Sequence, residues 1–146
     1  MSTHFRLEMG ETTERFFDDT CLLGILTTQK NYQFCWQLNY TLGYDFFLNT
    51  DIHIEVARKG RKYKFLVYEH QVIASQCVYY LYENQCEGEY LLPEFKHFDF
   101  LWLMKGDYFE ASYTQPIIDE IKTLPSVQLV TELTNEKFKN KSYLIF

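Results

Sequence analysis

Between Leu92 and Gly106 the chain leaves a proline corner, Leu92-Pro93-Glu94, and enters Phe98-Asp99-Phe100-Leu101-Trp102-Leu103-Met104 before stopping at Lys105-Gly106. A short apolar run bounded by turn residues is the pattern of a strand covered on both faces. Any fold that accepts it must supply two apolar layers. It must also satisfy one carboxylate, Asp99, held near the start of the strand. Such a group has to be paired, hydrogen-bonded or close to solvent. Alternation along the run places Asp99 on the face of Leu101 and Leu103, opposite Phe98, Phe100 and Trp102.

The flanking sequence predicts what surrounds that strand. Phe5-Arg6-Leu7-Glu8-Met9 alternates like a half-buried strand, and Cys21 to Leu26 reads as a buried one. Thr27-Thr28 offers a helix cap. Phe34, Cys35, Leu38 and Leu42 then share one helical face, Tyr32, Trp36 and Tyr40 form an adjacent stripe, and Gly43 is the stop. Ile52 to Val56 and Tyr63 to Val67 alternate around the turn Arg58-Lys59-Gly60-Arg61, a hairpin signature. Gln76 to Glu83 is a tyrosine-rich strand closed by Glu87-Gly88-Glu89. Thr114 caps a second helix, with Pro116 in its first turn and Ile117, Ile118, Ile121 and Leu124 as its buried stripe. Pro125 ends it, and Val127 to Thr131 is the last strand. The expected architecture is a single α+β domain over residues 1–146: an antiparallel sheet with two helices on one face, a ferredoxin-like plait with extra strands.

Composition narrows the function classes. With 13 Phe and 12 Tyr among 146 residues, the core is built from rings, and some rings must lie at the surface, which favours an interaction or oligomer interface. A net charge of −6 argues against nucleic-acid or anionic-membrane binding, which needs a basic footprint. No apolar stretch has the length of a membrane span, and the N-terminus has no signal-peptide pattern, so the expected location is the cytoplasm. Cys21, Cys35, Cys77 and Cys86 show no CxxC spacing and read as free thiols of a reducing compartment.

The candidate ligand or interaction residues are Glu94, Asp99, Tyr80 and Tyr82. Asp99 reads either as a ligand-binding or acid–base carboxylate, or as an anchor for backbone N–H groups or a cation at the start of its strand. Glu94 follows the rigid Pro93 and reads either as a residue placed at a site by that corner or as a turn carboxylate that accepts local backbone bonds. Tyr80 and Tyr82 lie in a strand with rings on both faces and suit either a core or a groove or dimer contact. His97 between the two acids matches no metal-ligand spacing. The cluster Arg58-Lys59-Gly60-Arg61-Lys62 reads as a solvated hairpin tip or a patch for an anionic partner. There is no GxSxG elbow and no GxGxxG or GxxxxGK loop. No catalytic residue, cofactor or metal is expected.

Pro93-Glu94 with Asp99 at this offset, leading into an apolar strand and Lys105-Gly106, resembles the Ile-Pro-Glu-x-x-x-Val-Asp-Tyr (IPExxxVDY) signature of small bacterial proteins of the Bacteroidetes type. Leu92, Phe98 and Phe100 stand where that signature has Ile, Val and Tyr. The strand–helix unit from Cys21 to Gly43, the helix–strand unit from Ile117 to Val130 and the apolar Tyr143 to Phe146 are similar in layout. The family has no established activity, so the resemblance implies a small cytoplasmic bacterial protein rather than a chemistry. Phe100 lacks the hydroxyl of the signature tyrosine, which favours a packing role at that position. The function expected from these features is a non-enzymatic protein–protein interaction module, a homodimer. The alternative is a small-ligand sensor or regulatory domain with its pocket near Asp99.

Overall fold

The computed structural model describes residues 15–106, 108–136 and 139–146. The strand expected over Phe5 to Met9 lies outside them. In chain order the elements are β1 (Thr20–Thr27), α1 (Tyr32–Leu42), β2 (Phe47–Leu48), β3 (Ile54–Arg58), β4 (Arg61–Phe65), β5 (Val67–Gln71), β6 (Val78–Glu83), β7 (Gln85–Cys86) and β8 (Glu89–Tyr90). A 3-10 turn (Pro93–Phe95), β9 (Phe100–Lys105), α2 (Ala111–Lys122), β10 (Val127–Glu132) and a second 3-10 turn (Lys141–Leu144) complete the chain. The fold is α+β. Its antiparallel main sheet has six strands in the order β10-β1-β9-β6-β5-β2, accompanied by the two-stranded pairs β3-β4 and β7-β8.

Because β9 is central and flanked by β1 and β6, its alternating residues feed two apolar layers. Phe100, Trp102 and Met104 meet Leu23 and Ile25 of β1, Phe34, Cys35 and Leu38 of α1, and Ile118 and Ile121 of α2. Both helices therefore cover one face, with the Phe34 and Phe100 rings 4.7 Å apart. Leu101 and Leu103 point the other way, into Tyr82, the β3-β4 hairpin (Ile54, Val56, Tyr63, Phe65), Leu91, Leu92 and Leu144. Nearly all of β9 is inaccessible to water. Each fully buried large apolar side chain stabilises the fold by about 1.5–3 kcal/mol, so this strand and its neighbours carry the largest share of the hydrophobic stabilisation.

Several local expectations need correction. Helix α1 starts at Tyr32, not after Thr27-Thr28. Thr27 is the last residue of β1, and its Oγ1 accepts the Gln29 N–H at 3.2 Å, which spends the hydroxyl on a turn. Asn31 stands at the helix start instead, with φ 56° and no side-chain cap bond. Gly43 does stop α1, in the left-handed conformation and with its N–H on the Asn39 carbonyl at 3.1 Å. Helix α2 begins at Ala111, so Thr114 is a buried residue inside it and Pro116 lies within the helix, beyond its first turn. Val67 does not continue the hairpin. The chain leaves β4 after Phe65 and starts a strand of the main sheet, β5, at Val67. Phe98 shares the layer of Leu101 and Leu103, because β9 begins only at Phe100 and the alternation does not extend back through the preceding turn.

The ring of Phe98 fills the space over Gly24 in β1. A Cβ at that glycine would lie 2.7 Å from the Phe98 ring, a clash that a buried aromatic ring cannot relieve by swinging away. We expect Gly24→Ala to destabilise the protein by about 1–3 kcal/mol. Adding Phe98→Val should return part of that loss by clearing the ring, as read by urea denaturation of the two single variants and the double.

Candidate functional site

The corner between β8 and β9 is organised by a residue that the sequence did not single out, Asn84. Its side chain is fully buried and bonds three backbone groups. Nδ2 donates to the carbonyls of Phe95 (3.1 Å) and Phe98 (2.9 Å), while Oδ1 accepts the Leu92 N–H (2.9 Å). Its backbone adds a bond from its own N–H to the Asp99 carbonyl and one from Leu91 N–H to its carbonyl. The Leu92-to-Phe98 turn thus finds partners within the protein for groups that burial takes away from water. An Asn between two strands reads in sequence as an ordinary turn residue, so no local pattern could have revealed this role.

The sequence-predicted residues occupy three separate places around that corner. Asp99 precedes β9, and its Oδ2 accepts the Thr27 N–H at 3.0 Å, where the pairing of β1 with β10 shifts register. Glu94 grips the C-terminal segment: Oε2 accepts the Asn140 N–H at 2.9 Å and Oε1 accepts from the Asn140 side chain at 2.8 Å. Burial works to raise the Glu94 pKa, but these bonds, with others from the backbone of Glu94 and Lys139, outweigh it and hold the carboxyl below its usual value. Tyr82 is fully buried and donates to the Leu144 carbonyl at 2.8 Å, which removes it from any groove or dimer contact. Tyr80 packs edge-on against Phe146 at 4.8 Å. All but Asp99 fasten the C-terminal tail, and Asp99 fastens β1.

A small cleft does adjoin Asp99. It is lined by Lys30, Asn31, Glu83, Gln85, Asp99 and Phe100 and holds about 40 Å³, room for a water molecule but far from a metabolite. Glu83 is buried there and accepts the Tyr68 hydroxyl proton at 2.7 Å. Desolvation raises its pKa above 4.5, against the opposing effect of that hydrogen bond. Among the described residues no three His, Cys, Asp or Glu side chains form a metal-binding set. The Cys21 and Cys35 thiols are buried and pushed up to about 11 by desolvation, which leaves them unreactive as nucleophiles. The basic turn is faced by acidic residues of the β7-β8 hairpin, with Arg61 2.9 Å from Glu87 and Lys59 3.7 Å from Glu89. Arg58 donates to the Tyr90 and Leu91 carbonyls.

The surface that stands out is the outer face of α1. Tyr32, Trp36 and Tyr40, one turn apart, are 68%, 61% and 77% exposed. Trp36 and Tyr40 stack nearly parallel, with centroids 4.9 Å apart. Beside them runs an open groove of about 400 Å³ lined by Gln29, Tyr32, Gln33, Trp36 and Gln37. From Asn31 to Tyr44 there is no Asp, Glu, Lys, Arg or His. An exposed helix face is ordinarily polar and charged, and this one presents large rings and amides instead.

No match to this chain is found among family models, curated proteins or solved structures.

Two outcomes test these assignments. If Asp99 serves the fold by holding the end of β1, Asp99→Ala should cost about 1–3 kcal/mol. Asp99→Asn, whose amide oxygen still accepts the Thr27 N–H, should cost less but remain destabilising. Denaturant melts of the two variants against the parent decide this, and a stabilised Asp99→Asn would assign the carboxylate to binding instead. For Glu83, a folded-state pKa raised above the unfolded 4.5 means that its contribution is fully present below that value and is lost as pH rises through the folded pKa. Glu83→Gln should therefore gain stability relative to the parent as pH rises above about 4.5, then hold a constant advantage, as followed by urea melts from acid to neutral pH.

Proposed function

We propose that this chain is a non-enzymatic protein–protein interaction module that self-associates through the outer face of α1. We further propose, from the Pro93-Glu94 and Asp99 spacing, that it belongs with the small cytoplasmic bacterial proteins carrying the IPExxxVDY signature. The observation that carries the functional reading is the exposed Tyr32–Trp36–Tyr40 stripe. Trp and Tyr are the residues that most often anchor protein interfaces, because they bury much area while losing little side-chain entropy. Three of them aligned on one helix face, with no charge among them, make a surface that loses little on contact with apolar groups. Self-association suits this surface because a two-fold axis sets the same patch against itself. An uncharged patch can do so without repulsion, even on a chain of net charge −6.

A small-ligand pocket beside Asp99 is the weaker reading. The cleft there has room for little more than a water molecule, and the carboxylate of Asp99 is engaged with the backbone of β1.

The decisive measurement is sedimentation equilibrium across the micromolar range. The parent should show reversible dimerisation, and Trp36→Ala should weaken it by roughly thirtyfold, the equivalent of about 2 kcal/mol at an interface hot spot. Its thermal stability should barely change, since Trp36 is largely exposed in the single chain. A parent that stays monomeric up to the highest concentration would defeat the proposal.

A further inference from the structure

Between the stop of α1 at Gly43 and the start of β2 at Phe47, the chain crosses to the main sheet, and one bond on the way goes to a titratable ring. The backbone N–H of Asp45 donates to Nδ1 of His70 in β5 at 3.0 Å. A ring nitrogen accepts only through its lone pair, so Nδ1 carries no proton and the imidazole is neutral, with its proton on Nε2. A second proton would turn Nδ1 into a donor facing another donor, and the bond to Asp45 would be lost. The next residue is held differently: the Phe46 N–H donates to the side-chain oxygen of Asn39 at 2.8 Å, an amide that does not titrate.

The surroundings of His70 favour the neutral ring. Tyr44, Phe46 and Tyr79 pack around it, with centroids 5.2, 5.4 and 5.6 Å away. Burial lowers its pKa below the usual 6.5, against the attraction of the Asp45 carboxylate. Tyr44, from the link, and Tyr79, from β6, are held in their uncharged forms by burial. From α2, Tyr113 bonds its hydroxyl to that of Tyr79, and Glu120 acts on Tyr44. On β5 itself, Glu69 and Gln71 alternate to the opposite face of the sheet and bond each other at 3.2 Å. From this geometry we infer that His70 is a latch released by protons. When neutral it holds the Tyr44-Asp45 link to the sheet, and proton uptake frees that link while α1 and the sheet stay folded. The inference goes beyond self-association and does not depend on it.

The test follows amide hydrogen exchange and the imidazole nitrogens of the full chain by NMR, for the parent, His70→Asn and His70→Phe. In the parent, His70 should carry its proton on Nε2 at neutral pH and titrate below 6.5. Protection of the Asp45 amide should fall by about tenfold between about pH 7.5 and about pH 5, because proton uptake by the released ring favours the open link. Asn places Oδ1 where the ring has Nδ1 and does not titrate, so His70→Asn should keep the Asp45 amide protected at both pH values. Phe keeps an aromatic ring but cannot accept, so His70→Phe should lack that protection at both. The amides of Phe46, β6 and β9 should respond in none of these cases, which separates release of the link from unfolding. A His70 proton on Nδ1, or titration at or above 6.5, overturns the latch. So does a His70→Asn that responds to pH as the parent does, or a His70→Phe that stays protected. Loss of protection at Phe46 and β9 in step with Asp45 overturns it as well, since that is acid unfolding of the whole domain.

Discussion

The buried amide of Asn84 is the interaction on which the corner before β9 depends. The two-sided burial of β9 forces the chain to turn sharply between Tyr90 and Phe100 with backbone groups removed from water. A buried donor or acceptor left without a partner costs about 1–3 kcal/mol, and Asn84 supplies partners to three such groups with one side chain. Once the corner is fixed, Phe98 is aimed over Gly24, Leu91 and Leu92 enter the second layer, and Asp99 reaches the Thr27 N–H. The two carboxylates that look most chemical in the sequence, Asp99 and Glu94, are engaged by the backbone N–H groups of Thr27 and Asn140. Glu94 extends the same arrangement outward by fastening Asn140, so the C-terminal segment closes over the layer that contains Tyr82 and Leu144.

Much of this was legible in the sequence where burial imposes a period. The apolar runs of β1 and β9, the one-sided stripe of α2 and the hairpin alternation around Lys59-Gly60 all follow from which faces must be dry, although β9 begins at Phe100 rather than Phe98 and α2 at Ala111 rather than after Thr114. Features set by single hydrogen bonds were not legible. Thr27 has the composition of a helix cap, but its hydroxyl serves Gln29 and its N–H serves Asp99, so the helix waits until Tyr32. The break at Leu66 that separates β4 from β5 is a change of sheet within a continuous alternating run, and alternation is blind to which sheet a strand joins. For the candidate surface, the spacing of Tyr32, Trp36 and Tyr40 marked a stripe beside the buried one. Its exposure could not be read, because rings at helical spacing are equally suited to a core.

Part of the basic hairpin tip is answered within the chain, while Lys62 and Lys64 beside it are exposed. Arg58, Lys59 and Arg61 meet carbonyls or carboxylates of the β7-β8 segment. Exposed pairs of this kind contribute little stability, about 0–1 kcal/mol, yet they change what the hairpin tip presents to a partner. A patch that reads as a site for an anion is answered by Glu87 and Glu89 of the same chain. The acidic surplus that remains disfavours polyanionic partners by long-range repulsion, and the face of α1, which carries no charged residue, adds nothing to that barrier.

The same helix can serve the fold with one face and leave the other for the proposed self-association. Phe34, Cys35 and Leu38 are committed inward against β1 and β9, and Asn39 ties the segment beyond the helix by bonding both the N–H and the carbonyl of Phe46 (2.8 and 2.9 Å). With its inner face packed and its C-terminal end fastened, α1 is positioned without any help from Tyr32, Trp36 or Tyr40. The stacking of Trp36 on Tyr40 restricts both rings before any partner arrives, so less side-chain entropy is lost when they are covered. Exposed rings contribute little to the stability of the single chain. They gain their full burial only against another surface, and in the proposed dimer that surface is the same helix on a second copy, matched in size, polarity and absence of charge.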